Sequence, residues 1–249
     1  MASWTWALIF VCLSRSATGF VGNAGVRSTE TWRRTFAVAG SYDHRSANRE
    51  GINARRHVAA GVAGLRAAIE VDVGRDLDVG SVLVAGPDNY GHMTFKAVAL
   101  IYEHGHGGPT RAVSVDKGLD FTIGEMSSGD LGPLSNNRLF RGGEDGGEVA
   151  IMIHPHDIEG ARPLGDTGLY VGGFVSALDL VDENRAEPGD FKFFFNHMAW
   201  PEGALEEQVE KGLWKVVGLP NDVLLETKRM RDMELWGRIE FALKNKAQR

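Results

Sequence analysis

Residues 80–87 read Gly-Ser-Val-Leu-Val-Ala-Gly-Pro, a four-residue apolar run at 82–85 followed by a Gly-Pro turn. A short apolar run that ends in glycine and proline is typical of a buried strand. Similar runs recur along the chain and predict six strands, at residues 82–85, 97–102, 112–115, 149–153, 169–171 and 191–195. In the last run Phe191, Phe193 and Phe195 alternate, so we expect that face of the strand to lie in the core.

Two helices are predicted late in the chain. Residues 201–210 begin with proline and glutamate and end before Lys211 and Gly212, which suits the two ends of a helix. Residues 230–245 place apolar side chains at helical spacing. Because the strands come first and the helices late, the pattern predicts an α+β fold with a mainly antiparallel sheet.

The N-terminal segment differs in charge from the rest of the chain. Residues 1–56 carry eight arginines, three acids and no lysine, a net charge of +5. The whole chain carries −6, which leaves −11 on the remaining residues. An acidic body argues against non-specific nucleic-acid binding, which needs clustered Lys and Arg to neutralise phosphates. No nucleic-acid partner is therefore expected.

Residues 4–13 form an apolar run about half as long as a membrane span, which is the length of a signal-peptide core. Small residues and then Phe20 follow, ahead of a tail that bears arginine, serine and threonine. This arrangement resembles the two-part leaders of proteins imported into secondary plastids of algae. We expect a signal peptide at 1–19, a transit segment at 20–56 and entry into the plastid stroma; secretion is the alternative.

The single cysteine, Cys12, lies inside this leader. The mature protein would have no thiol for a disulfide, a thiolate metal site or a nucleophile, and no membrane span is expected in it. Residues 57–77 are either an N-terminal helix or a linker. Residues 78–249 are predicted to form one domain, because no long Ser/Pro linker or repeat interrupts them.

Seven motif groups occur in a fixed order between about residues 78 and 243. They are residues 80–87, a strand ending in Glu103 and His104, the sequence Arg141, Gly142 and Gly143, a strand ending in His154, residues 168–173, residues 199–214 with Trp200, Gly203 and Trp214, and residues 235–236. Their order and spacing resemble the YqgE/AlgH family. The resemblance implies a bent sheet partly closed into a small barrel with flanking helices, and no established enzymatic activity.

Bacterial members of that family have been linked to transcriptional regulation, and plant and algal members are expected in plastids. The positions that carry the motifs are the candidate ligand or motif residues: Pro87, Glu103, His104, Gly142, Gly143, His154, Trp200, Gly203 and Trp214. This chain departs from the family pattern at several turn and polar positions, among them Gly91, Asp116, Ala199 and Ala204. A ligand pocket built from these positions would be altered here.

Two His-x-His pairs are the candidate metal ligands. His104 with His106, and His154 with His156, would each place two imidazoles on one face of a strand. Together with Glu103 or another nearby carboxylate, such a pair could bind zinc or iron(II). The favoured interpretation is structural: His104 and His154 end strands and hydrogen-bond there, while His106 and His156 lie in solvent. No metal is expected and no cofactor is predicted.

Residues 142–147, Gly-Gly-Glu-Asp-Gly-Gly, could cradle a phosphate, but their acids would repel an anion and no Lys-Ser/Thr follows them. A mobile acidic hairpin is the favoured interpretation. Trp200 and Trp214 are expected to pack in the core, because tryptophan buries a large apolar area. Histidine 197 follows the phenylalanine strand with no evident partner.

Three function classes remain open. The favoured one is a non-catalytic binding or regulatory module that contacts other plastid proteins or a small ligand. The second is a metal-dependent or hydrolytic enzyme that uses Glu103, His104 or His154. The third is a transcriptional regulator, which the acidic body opposes.

Overall fold

The structure is a computed structural model that describes residues 69–105, 107–228 and 233–248. The predicted signal and transit segments and His106 lie outside these residues. The described chain contains eleven strands: β1 (Asp72–Val73), β2 (Val82–Ala85), β3 (Val98–Glu103), β4 (Thr110–Ser114), β5 (Gly118–Thr122), β6 (Arg138–Arg141), β7 (Asp145–His154), β8 (Ala161–Pro163), β9 (Tyr170–Gly172), β10 (Lys192–Trp200) and β11 (Trp214–Gly218).

Five helices accompany the strands in the described ranges: α1 (Ile123–Met126), α2 (Phe174–Asp182), α3 (Ala204–Glu210), α4 (Asn221–Leu224) and α5 (Glu234–Ala247). Short 3-10 turns lie at Gly132–Asn136 and Pro188–Asp190. None of the helices described here combines the length and the apolar character needed to cross a bilayer. The two late helices predicted from the sequence are α3 and α5, but α2 precedes β10 and β11 follows α3, so strands and helices alternate in the second half of the chain.

The strands form one mainly antiparallel sheet, which confirms the predicted α+β class. The sheet runs in the order β1-β11-β2-β3-β4-β10-β7-β9-β8, and β6 and β5 extend it from β10. Among the strand pairs, β6 with β10 is parallel. The β2 strand has the bounds predicted from its apolar run, since its four residues are buried on both faces.

The predicted partial closure into a barrel is wrong, because the sheet is open. In the described residues β1 pairs with β11 and β8 pairs with β9, and these two end strands are not joined by a ladder. Both end strands are short, and Pro163 in β8 has no N–H to offer a further strand. The two ends meet through loops instead, with Leu164 and Gly165 against Val79 and Gly80.

Apolar side chains cover both faces of the sheet. One face forms the larger core, in which Val84, Leu100 and Phe194 join Leu235 and Ile239 of α5. The opposite face is covered in two separate places. There α3 lies over a cluster that includes Leu83, Ile101, Trp200 and Trp214, and α2 over one that includes Leu139, Phe191 and Phe193. Burying one such phenylalanine stabilises the fold by about 2–3 kcal/mol.

The segment 57–77 was predicted to be a helix or a linker. Residues 57–68 lie outside the described residues, and 69–77 contain the short strand β1 but no helix. Ile69 and Val71 are buried in the larger core, and β1 pairs with β11 through Asp72 and Val73. Five short strands were absent from the sequence-based prediction: β1, β5, β6, β8 and β11. Exposed β5, for example, has no continuous apolar run that would mark it.

The chain crosses over β10 between β6 and β7. Phe193 of β10 pairs with Leu139 of β6 and with Met152 of β7, so β6 and β7 lie on opposite edges of β10. Residues 142–144, which join β6 to β7, must therefore cross the strand. They do so at its bulge, where Gly142 N–H donates to the Phe195 carbonyl and the Gly142 carbonyl accepts from Ser114 of β4.

Only glycine fits at this crossing. A Cβ on Gly143 would lie 1.9 Å from the carbonyl carbon and oxygen of His197, and one on Gly142 would lie 2.2 Å from the Asn196 oxygen. These neighbours are backbone atoms in a paired strand, so they cannot rotate away as a side chain can.

We predict that Gly143→Ala lowers the free energy of unfolding by about 3 kcal/mol or more, because the new methyl group forces β6, β7 and β10 apart. Urea denaturation followed by circular dichroism measures this change. Gly189→Ala is the matched control, since a Cβ there meets no atom within 4 Å. Equal stability of the two variants would contradict the crossing.

Candidate functional site

Glu103 and His104 lie at the end of β3, and each already has a partner on β4. The Glu103 carboxylate accepts from Arg111 Nη1 at 2.7 Å, and the two residues face each other in the ladder. His104 Nδ1 is 2.8 Å from Thr110 Oγ1, and Thr110 itself is buried. Both side chains are half-exposed. Because each is bonded to a residue of β4, they anchor the end of the β3–β4 hairpin.

His154, at the end of β7, is fully buried and uses both ring nitrogens. Its Nε2 donates to the Gly172 carbonyl at 2.9 Å, and its Nδ1 accepts from the His156 backbone N–H at 3.3 Å. The ring is stacked with Tyr170 and lies tilted against Phe191. Burial lowers the pKa of His154, so the imidazole is neutral at neutral pH. A metal could bind it only after one of these bonds broke.

His156 is half-buried, so its predicted position in solvent is wrong. Its Nε2 lies 2.9 Å from the Asp190 carboxylate, and its ring packs against Phe191. The 3-10 turn Pro188–Asp190 brings this carboxylate to the histidine, a contact that the local sequence does not reveal. His106, the fourth histidine of the two pairs, lies outside the described residues.

The two strand-end histidines belong to different parts of the sheet. The Arg111 end of β4 pairs with Ala199, whose N–H donates to Asp145 at the start of β7. His154 is at the other end of that strand: Asp145 faces His197, whereas Ile153 faces Lys192, five residues earlier on β10. The two ends of β7 are therefore about 17 Å apart at roughly 3.4 Å per residue. Within the described ranges, no three His, Cys, Asp or Glu side chains converge as metal ligands. The structure does not bring Glu103 and His104 together with His154.

Gly142 and Gly143 form no anion cradle, because backbone atoms of β10 occupy the space beside them. The acidic hairpin expected at 142–147 is also wrong. The segment is the crossing connection, and β7 begins within it at Asp145. The Glu144 carboxylate lies 2.9 Å from His92 Nδ1 and 3.2 Å from Arg141 Nη2.

Pro87 and Gly203 occupy turns. Pro87 is exposed just after β2. Its neighbour Gly86 lies close to the Gly212 carbonyl, so that a Cβ on Gly86 would be 2.3 Å from the Gly212 oxygen. Gly203 precedes α3 with a φ of +77°, a conformation that glycine adopts without strain. Both positions direct the backbone rather than present a functional group.

Trp200 and Trp214 are buried and share one acceptor. Their indole N–H groups donate to the same Gln208 Oε1, at 3.1 and 3.0 Å, and their rings meet edge to face with centroids 5.9 Å apart. Gln208 lies on α3, so it ties that helix to the sheet. The sequence indicated buried tryptophans but did not identify Gln208 as their partner.

Lys192 is a buried cation that sequence reasoning missed. It is 1% exposed, and its ammonium donates to the carbonyls of Val115, Leu224 and Glu226 at 2.8–2.9 Å. The ring of Phe140 lies 4.2 Å from the same nitrogen. Burial lowers the pKa of Lys192 to about 7, against the opposing effect of Asp116 and Glu226. The sequence signal that could have indicated a buried lysine is its position between Phe191 and Phe193 in a predicted strand.

His197 is a second position that the sequence left without a role. A bulge in β10 at Asn196, whose φ is +61°, turns the His197 ring toward Tyr102, with centroids 5.9 Å apart. Its Nδ1 is buried and has no hydrogen-bond partner in the described chain. Burial, and then the Arg111 charge, lower the pKa of His197, so the ring is neutral near pH 7.

One surface cavity of about 220 Å³ lies away from all the candidate residues, beside β1 and the start of α4. Three of its polar side chains are already engaged: Arg75 lies 3.5 Å from Asp72, and Asn221 donates to the Thr167 carbonyl at 2.7 Å. Nothing in these contacts selects a ligand.

Comparisons with known proteins place this arrangement in a set of related chains. The sequence model of the AlgH-like family, DUF179, matches residues 82–245. A UPF0301 protein of Chlamydia muridarum is 25% identical over 169 residues, covering 64% of this chain and 83% of that protein. A UPF0301 protein of Chlamydia abortus is 28% identical over 148 residues, covering 55% of this chain and 73% of that protein.

Two solved structures are similar in fold. A crystal structure of a protein from Corynebacterium diphtheriae gives a TM-score of 0.56 at 18% identity, covering 66% of this chain and 86% of that one. The solution structure of the AlgH protein from Pseudomonas aeruginosa gives 0.53 at 14% identity, covering 68% and 92%. At these identities the likeness extends to the fold alone.

We predict that Lys192 makes the free energy of unfolding rise by about 2 kcal/mol between pH 7.5 and 9.5. The unfolded lysine keeps its proton up to about pH 10.5, whereas the folded one releases it near pH 7. The unfolded chain therefore binds more protons in this window, and raising the pH favours the fold. Urea titrations at several pH values measure the slope.

Lys192→Met should remove this slope. Lys211→Met is the matched control, because Lys211 and its partner Glu207 are both exposed and the change leaves no buried charge without a partner. The same pH dependence in wild type and in Lys192→Met would contradict the assignment.

Proposed function

Because the chain belongs to the AlgH-like family, we propose that it is a non-catalytic binding module that acts in the plastid. The family match and the shared fold confirm the resemblance drawn from the sequence motifs. The plastid location and the non-catalytic role are the new parts of this proposal.

The observation that carries the proposal is that the candidate catalytic groups are held in structural bonds. A general base or metal ligand needs a free lone pair that faces a substrate. Glu103 is paired with Arg111, His104 bonds Thr110 through Nδ1, and buried His154 is the one of the three that uses all its ring nitrogens within the fold. The proposed role therefore depends on surface contacts rather than on these groups.

Charge supports a protein or small-molecule partner over DNA. The residues after the leader carry a net −11, which repels a phosphate backbone. Bonds such as those of Gln208 and Lys192 hold helices and loops rigidly on the sheet. A rigid scaffold suits binding, because little conformational entropy is lost when a partner docks.

We predict that the chain, tagged at its C-terminus and expressed in its own cells, recovers a specific partner from plastid extract. His104→Ala and Glu103→Gln should recover that partner at wild-type yield, because neither group contacts it. Quantitative mass spectrometry of the captured material measures the yield. The protein purified without an affinity tag should also contain well under one equivalent of transition metal.

The enzyme alternative makes the opposite forecast. Stoichiometric zinc or iron, or loss of in-cell function in His104→Ala with the fold intact, would reject a non-catalytic role. Turnover of a metabolite with no specific partner would reject it as well.

The leader supports the plastid part of the proposal. An apolar run, a small-residue junction and Phe20 precede a segment rich in arginine and free of lysine. This combination suits passage through a secretory membrane followed by import into the stroma.

We predict that a fluorescent protein fused after residue 68 collects in the plastid stroma. Phe20→Ala should divert it from the stroma, because the aromatic residue becomes the first one after signal-peptide removal. Phe36→Ala in the same segment is the matched control and should leave import intact. Fluorescence in the secretory pathway for the unaltered leader would establish secretion instead.

A further inference from the structure

The loop that joins β2 to β3 exposes two stacked aromatic rings. Tyr90 is 73% exposed and Phe95 is 36% exposed, and their ring centroids lie 6.3 Å apart. Lys96 and the half-buried Trp236 of α5 lie beside them. We call these four residues the aromatic surface. Large rings exposed side by side are a common feature of binding sites.

The loop that carries these rings is firmly held. Met93 is buried in the core beneath α3, and Asn89 donates its amide to the Leu213 carbonyl at 3.1 Å. The Thr94 hydroxyl donates to Asn89, and Trp236 donates its indole N–H to the Ala85 carbonyl at 2.8 Å. The rings are therefore exposed on a fixed backbone, which lowers the entropy lost when a partner binds.

Lys96 adds an unusual charge to this surface. Its backbone φ is +48°, a left-handed conformation that costs a non-glycine residue about 1 kcal/mol or more. In this position its ammonium lies 5.2 Å from the ring centroids of both Phe95 and Trp236. The ammonium has no hydrogen bond or ion pair with the residues that the structure describes, although the side chain is half-buried.

We propose that the aromatic surface binds a protein segment in which a carboxylate lies next to apolar side chains. The proposal deepens and rests on the binding role proposed above. The partner's apolar side chains would pack on Tyr90 and Phe95, and its carboxylate would pair with Lys96. The partner's acid would meet a local positive charge on a body that carries −11 overall.

Charge favours an acidic protein segment over a basic one as the partner of the aromatic surface. A basic segment would be attracted to the acidic body in general but repelled at Lys96, which pairs with no acid among the described residues. An acidic segment gains most at Lys96, where neighbouring rings exclude water and strengthen the ion pair. Such a contact selects one place on the molecule rather than the whole surface.

The test uses the full chain and an array of 12-residue peptides. Each peptide carries one Asp or Glu within three positions of Leu, Phe or Trp, and is matched by copies with Ala or Lys in place of the acid. Wild type should bind acidic peptides at least tenfold better than their Ala copies. Tyr90→Ala with Phe95→Ala should lose binding at least tenfold.

Lys96→Asn is the sharper variant, because asparagine tolerates the left-handed backbone while removing the charge. It should bind the acidic and the Ala peptides equally. Phe241→Ala is the matched control, since Phe241 is 68% exposed on α5, about 140° around the helix from Trp236, and it should bind as wild type does.

Absence of an acid preference in wild type, or unchanged preference in Lys96→Asn, would overturn the proposed surface. Capture from plastid extract separates this failure from failure of the binding role. A partner recovered equally by wild type and by the Tyr90→Ala, Phe95→Ala variant overturns the surface while the binding role stands. If neither wild type nor the double variant recovers a specific partner, both the aromatic surface and the binding role are overturned.

Discussion

The contact between Gly142, Gly143 and the backbone of β10 is the constraint on which the rest of the fold depends. Because the two glycines lack side chains, the chain passes from one edge of β10 to the other at Asn196 and His197. That passage makes β10 a strand with β6 and β4 along one edge and β7 along the other. The two halves of the sheet are joined through this single strand.

The same strand connects several features that are far apart in the sequence. Near its start, Lys192 binds carbonyls from the end of β4 and from the segment that precedes α5. At its bulge, Asn196 adopts a left-handed conformation and His197 turns toward Tyr102. At its end, Trp200 shares Gln208 with Trp214. Core packing, a buried charge and the helix contacts thus all depend on the placement of β10.

The separation of the candidate groups explains why a binding role suits this fold better than catalysis. Glu103 and His104 end β3, whereas His154 ends β7, and each is satisfied by a local neighbour. Of the polar groups that remain unusual, Lys192 is buried, and His197 is half-buried with a buried Nδ1. The aromatic surface instead combines exposure with a fixed backbone, and Lys96 supplies a charge that no acid within 69–105, 107–228 or 233–248 pairs with.

Apolar runs and ordered motifs are local signals, so the amino-acid order was enough to predict the α+β class, the bounds of β2, the buried face of Phe191 and Phe193 and the family. The open sheet, the crossing at Gly143 and the partners of Lys192 and Gln208 became visible only in the folded chain. Each of these depends on residues from separate strands and loops that meet only after folding. Two adjacent glycines suit a hairpin turn as well as they suit a crossing, so their sequence does not distinguish the two structures. The contact with β10 does.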